Sequence, residues 1–177
     1  MLDKERIKEA KYNVNTYLNE GLLKKVVIKE PQIKQILLSN CKESLSVAEI
    51  LFKNSYSNLW TIVCSYYSMY YVANAVLYEF GYKIGDKVSH KVTADALIAY
   101  VMEKLKESFL EDYEEAKEEA LELSGNKAGE LVESFNAELE KRSRFQYSTS
   151  ETALRSKAST SLDRAKRFVF EMEKLIR

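Results

Sequence analysis

The sequence predicts an all-α protein folded as an up-and-down helical bundle, and three observations carry that prediction. Only five glycines and one proline occur in 177 residues, whereas sandwiches and barrels need a turn signal every few residues. Apolar residues recur at spacings of three and four along most of the chain, the period of a helix with one buried face. Apolar residues make up 46% and charged residues 31% of the total, enough for a core and unlike a disordered tail. At this length one domain is expected over residues 1–177, with four to five core helices plus extra ones.

The first helix is expected from about Asp3 to Glu20, with Ile7, Ala10, Val14 and Tyr17 on one face and Gly21 ending it. Leu22 to Ile28 is ambiguous, since Val26-Val27-Ile28 has the composition of an extended run. Pro31 suits a first helical position and opens a helix to about Asn54. Its apolar face carries Ile33, Leu37, Cys41, Ala48, Leu51 and Phe52. A third helix, about Ser57 to Phe80, is apolar almost all round. One stripe holds Leu59, Ile62, Tyr66, Tyr70 and Leu77, and a second holds Trp60, Cys64, Tyr67, Tyr71 and Tyr78. Such a helix belongs at the centre of a bundle, and its small residues Ser65, Ser68 and Ala75 let a neighbour come close.

Gly81 to Val88 reads as a loop, with Ser89 or Asp86 capping a helix that carries Val92, Ala96, Ala99 and Leu105. That helix is expected to continue into an acidic stretch, residues 107–123, whose apolar face is Phe109, Tyr113, Ala116, Ala120 and Leu123. The acidic stretch reads as a solvated helix packed by one side, part of an insertion at about 106–130. Ser124-Gly125-Asn126 is expected to break it before a helix carrying Ala128, Val132, Phe135 and Leu139. After a second break near Gln146-Tyr147, Ser148 with Glu151 forms a capping box for the last helix, which buries Leu154, Ala158, Ala165, Val169, Met172 and Ile176.

Absent residues exclude many activities. The one histidine, His90, rules out histidine-rich metal sites and zinc-deaminase patterns, and no nucleophile elbow, Walker loop or dinucleotide-binding glycine motif occurs. No cofactor is expected. Cys41 and Cys64 read as reduced core residues. The charged N-terminus is no signal peptide, and no apolar stretch reaches membrane-spanning length, so a cytoplasmic protein with no membrane partner is expected.

Lysine plus arginine equals aspartate plus glutamate at 27 each, so global charge predicts no polyanion partner. The distribution is uneven. Residues 141–167 hold Lys141, Arg142, Arg144, Arg155, Lys157, Arg164, Lys166 and Arg167 against Glu151 and Asp163. This stretch could attract phosphate, or it could be the C-terminal half of a charge-balanced bundle. Arg142 follows Leu139 on the inward stripe, where a guanidinium must snorkel, pair with an acid or face a groove. Tyr147 lies five residues later. An arginine fork can hold a phosphate and a phenol can stack on a base, although arginine near a helix C-terminus is commonly a cap.

The run Ser65-Tyr66-Tyr67-Ser68-Met69-Tyr70 leads into Ala73, Ala75-Val76-Leu77 and Gly81, with Ser89-His90-Lys91-Val92 a short loop later. This pattern resembles the HEPN family, in particular its small prokaryotic branch with a Tyr-Tyr-Ala-Met-Phe-like core helix. Ser44-Leu45 through Ala48-Glu49-Ile50-Leu51 is similar to the family's preceding helix, and Ala165 with Phe168-Val169 to its last. Arg142 to Tyr147 is similar to the branch's Arg-x4-Asp-Tyr, with Gln146 in the aspartate place. The likeness covers about residues 40–97 and 139–176.

The resemblance implies a HEPN-like bundle, usually a homodimer with a groove at its interface. Many members are metal-independent ribonucleases, acting as toxins beside a nucleotidyltransferase-type antitoxin or in defence systems. Their signature is arginine, four to six residues, then histidine, and here Tyr147 stands in the histidine's place. A phenol's ordinary pKa of about 10, against about 6.5 for imidazole, makes it a poor base at neutral pH. Arg142, Tyr147 and His90 are therefore the candidate catalytic residues, and Tyr67, Tyr71, Arg144 and Arg155 the candidate binding residues. The expected function is a dimeric, non-catalytic module binding RNA or a nucleotide. The alternatives are a metal-independent ribonuclease using Arg142 with Tyr147 or His90, and a purely structural or protein-interaction bundle.

Overall fold

The computed structural model describes residues 2–85, 87–136 and 147–176, with side chains described throughout these except at 126–136 and 147–153. Helix α1 spans Lys4–Glu20. The Asp3 carboxylate caps it by accepting from the Arg6 backbone N–H at 2.6 Å. Gly21 ends it with φ +73°, a conformation that would strain a residue bearing a Cβ. Pro31 opens α2, Pro31–Lys53, and Asn54 closes it. Ser57 caps α3, Asn58–Glu79, by accepting from Trp60 N.

Helix α3 is the axis of the fold. It packs against α2, against α4 (Ser89–Tyr100), against α5 (Glu107–Asn136) and against α6 (Tyr147–Lys174). Fourteen of its residues are buried, including Ile62, Tyr66, Met69, Val72 and Leu77. Small buried residues on α3 (Ser65, Ser68, Ala75) and on α6 (Ala158, Ser161, Ala165) let the two helices pack closely. Phe168 and Met172 of α6 and Tyr113 of α5 complete one continuous core with them. Trp60, placed by its spacing on an apolar stripe, is 53% exposed because it lies in the first turn of α3, at the rim.

Several expectations are corrected. A two-stranded antiparallel sheet joins β1 (Leu23–Lys25) to β2 (Tyr82–Ile84), with Leu23 opposite Ile84. The extended run is thus three residues earlier than Val26–Ile28, and three residues of the expected Gly81–Val88 loop are strand. The sheet forms because α1 and α3 deliver the two segments side by side, a pairing of distant residues that local composition cannot reveal. Gly85 N donates to Leu22 O at 2.8 Å, and a Cβ on Gly85 would sit 3.0 Å from that oxygen.

Helix α4 does not run into the acidic stretch. It ends at Tyr100, a single 3-10 turn covers Met102–Lys104, and Leu105 is extended before α5 begins. The break lets Val101 and Leu110 both enter the core. The position preceding α4 is Val88, in the left-handed region at φ +46° with no side-chain cap, and Ser89 is the first helical residue. Asp86 lies outside the described residues.

Conversely, Ser124-Gly125-Asn126 breaks nothing, since α5 is continuous through Asn136. An interior glycine costs a helix only about 1 kcal/mol relative to alanine, which the burial of Leu110, Tyr113, Ala116 and Ala120 outweighs. Helix α6 begins at Tyr147, which puts Ser148 inside its first turn rather than before it. Among the described residues no helix is long and apolar enough to cross a membrane.

Candidate functional site

The residues that gather into a site lie on α3 and the start of α4. Tyr66, Tyr67, Tyr70 and Tyr71 occupy successive turns of α3, so spacings of three and four bring their rings together. The His90 ring sits among them, with centroids 4.7 Å from Tyr70, 5.5 Å from Tyr66 and 5.8 Å from Tyr67. Tyr67 meets Tyr71 at 6.1 Å and Tyr70 edge-on at 6.1 Å. Tyr66 is buried, while Tyr67, Tyr70, Tyr71 and His90 are half-buried. The cluster therefore has a buried root and an accessible face.

The protonation of this cluster follows from its burial. The Tyr66 hydroxyl and His90 Nδ1 lie 2.6 Å apart. Burial raises the pKa of Tyr66 and of the wholly buried Tyr113, whose ring is 5.9 Å from Tyr66, so both phenols keep their protons. Burial, and then the Lys117 ammonium on α5, lower the pKa of His90, so its ring is neutral at neutral pH. The protonated Tyr66 hydroxyl is placed to donate to His90 Nδ1. The imidazole proton is then on Nε2, and His90 offers an N–H donor rather than a free base. Burial, and then Tyr67, Tyr70 and Glu43, also raise the Tyr71 phenol.

Beside the cluster, a cavity of about 320 Å³ opens between α2, α3, β2 and the start of α4. Tyr70 and Tyr71 are shared between the two. Tyr82 forms part of the cavity wall and is held by stacking on Tyr100, at 4.0 Å between centroids and 12° between planes. Tyr78 is fixed by accepting from Glu30 N at 2.8 Å, and Asn74 donates to Tyr70 O at 2.8 Å.

Tyr67, Tyr71 and His90 are brought together as one surface. Arg155 is engaged elsewhere: it donates to Ser55 Oγ at 3.1 Å and lies 4.6 Å from the Phe52 ring centroid, at the C-terminal end of α2. Arg142 and Arg144 lie outside the described residues. Tyr147 is the first residue of α6, and its side chain lies outside them too.

Basic residues of α6 face the acids of α5 and α2. Arg164 pairs with Asp112 at 3.1 Å and with Glu115, Lys157 with Glu119 at 3.7 Å, and Lys166 with Glu49 at 2.9 Å. Arg167 reaches Asp112 at 3.8 Å. The described part of the basic stretch is therefore largely neutralised within the chain. Cys41 and Cys64 are free thiols, and burial pushes Cys41 up to about 12.

Sequence reasoning did not single out Tyr66, Tyr70, Tyr113 or the cavity residues as functional. Tyr66 and Tyr70 were legible as a helical stripe, but their convergence with Tyr113 and His90 requires three helices. Among the described residues no group of three or more His, Cys, Asp and Glu side chains is arranged to hold a metal ion. Protein-family models, curated proteins and solved structures were each compared with the chain, and none matches it.

Proposed function

We propose that the chain is a HEPN-type module that binds RNA, or a single nucleotide, through the exposed edges of Tyr67, Tyr70, Tyr71 and His90, and does not cleave it. One observation carries this reading: the only imidazole of the chain sits within a ring of tyrosines, with Nδ1 2.6 Å from the Tyr66 hydroxyl and burial favouring its neutral form. Such a group donates to a base edge or phosphate oxygen, while the phenol rings supply stacking surfaces worth about 1–3 kcal/mol per base. General-base removal of a 2′-hydroxyl proton would need Nε2 unprotonated. The homodimer, with Arg142 and Tyr147 near its two-fold axis, and a nucleotidyltransferase-type partner in a toxin–antitoxin or defence setting, belong to the same proposal and rest on the sequence resemblance.

The test uses a fluorescently labelled, mixed-sequence single-stranded RNA and the full chain in EDTA. Saturable binding without cleavage is expected, weakened about tenfold by Tyr71→Ala. Cleavage that disappears in Arg142→Ala would replace this reading with a metal-independent ribonuclease. Light scattering during size-exclusion chromatography reads the oligomeric state, and a monomer at all concentrations would remove the dimer from the proposal.

A further inference from the structure

The cavity between α2, α3 and β2 differs in chemistry from the open tyrosine surface beside it. Its volume of about 320 Å³ lies at the small end of ligand sites, which run from roughly 300 to 1,000 Å³. It can enclose one base with its sugar rather than a run of bases. Aromatic walls come from Tyr71 and Tyr82, and stacking on Tyr100 holds the Tyr82 ring in place. Asn74 Nδ2 spends one proton on Tyr70 O and retains a second, a donor for an acceptor on a ring edge. Lys83 brings a cation to the rim, and no described lining residue is acidic. The nearby ammonium groups of Lys29 and Lys34 are both committed to Glu79.

A planar ring with an acceptor edge and one anionic group matches these walls. We propose that the cavity holds one nucleoside monophosphate unit, free or at the end of an RNA strand, with its base between Tyr71 and Tyr82 and its phosphate at Lys83. This deepens the nucleotide-binding reading and rests on it.

Calorimetric titration of the full chain with AMP, GMP, CMP and UMP, and with the matching nucleosides, tests it. At least one monophosphate is expected to bind saturably, about tenfold more tightly than its nucleoside, and Lys83→Ala should remove that difference. Lys83 is exposed, so the variant leaves the fold intact. Leu37→Trp should fill the cavity and abolish uptake, whereas Tyr12→Ala, on the exposed face of α1, should leave it unchanged. Competition by a terminally phosphorylated trinucleotide would assign the unit to an RNA end, and its failure to compete would assign it to a free nucleotide. Absence of saturable binding by all four monophosphates, or binding indifferent to both Lys83→Ala and Leu37→Trp, overturns the inference. If labelled RNA still binds in that case, the tyrosine-surface reading survives alone. If neither RNA nor monophosphate binds, both fall.

Discussion

His90 and Tyr66 show how burial selects a protonation state. A phenol that keeps its proton is placed to donate it to Nδ1, an arrangement that puts the neutral imidazole's own proton on Nε2. Long-range nitrogen–proton correlation spectra at pH 8 should show the Nε2–H tautomer, and the Nδ1–H pattern would contradict the donor order. The pH dependence has a definite sign. The folded pKa lies below the ordinary 6.5, so the contribution to stability is complete above 6.5. As pH falls from there, the unfolded chain takes up a proton that the folded ring refuses, and stability declines until the folded pKa is passed. Thermal melts between pH 7.5 and 5.5 should show this decline in the parent and a flatter profile in His90→Gln. Equal profiles would mean that the ring is not held neutral.

Among the elements, α1 is attached through polar groups as well as through its buried apolar face. The Asp95 carboxylate of α4 is fully buried, accepts from Tyr17 at 2.8 Å and Asn13 at 3.0 Å, and pairs with Arg6 at 2.7 Å. Arg6 in turn donates to Glu114 of α5 through Nε at 3.0 Å. Removing one partner of a buried pair leaves the other uncompensated, so Asp95→Ala should destabilise by about 3 kcal/mol in urea unfolding, and Tyr17→Phe by about 1.5 kcal/mol. A loss below about 0.5 kcal/mol for Asp95→Ala would show that α1 is held by its apolar face alone.

Helix α5 offers a cleaner test. A Cβ on Gly125 would meet nothing within 4 Å, so in a continuous helix Gly125→Ala should stabilise by up to about 1 kcal/mol. Gly21→Ala, at φ +73°, should destabilise by a similar amount. Destabilisation by Gly125→Ala would restore a break at that position.

At the scale of the whole molecule, charge is balanced in total and, among the described residues of α6, locally as well. The basic residues of α6 meet the acids of α5 and α2, leaving little net positive surface on the described part of 141–167. Six phosphates contacted by six net charges would give a slope of about −4 for log affinity against log salt on a single strand. If RNA is held mainly by stacking on the tyrosine surface, the slope should be shallower than about −2. A steep slope, abolished by neutralising Lys157 and Lys166 together, would move the binding surface to α6.

The helices, their buried faces and the helix starts at Asp3, Ser57 and Pro31 were legible because each depends on residues within one or two turns. A stripe such as Ala10, Val14, Tyr17 has one way to bury itself, and an all-round apolar α3 has one place to go. The β1–β2 pair, the stop after Tyr100 and the passage of α5 through Gly125 were not legible. Each is settled by partners distant in sequence, and a three-residue strand or one interior glycine carries too little local free energy to announce itself.

The candidate site divides along the same line. Tyr67, Tyr71 and His90 could be named from the sequence, since aromatic residues at helical spacing and a solitary imidazole are visible there. That His90 is bonded to Tyr66, which packs on Tyr113 of another helix, and is set beside a cavity walled by β2 was decided only by the packing of α3, α4 and α5. Chemical identity is written residue by residue, but protonation, exposure and reach are properties of neighbours that only the folded chain supplies.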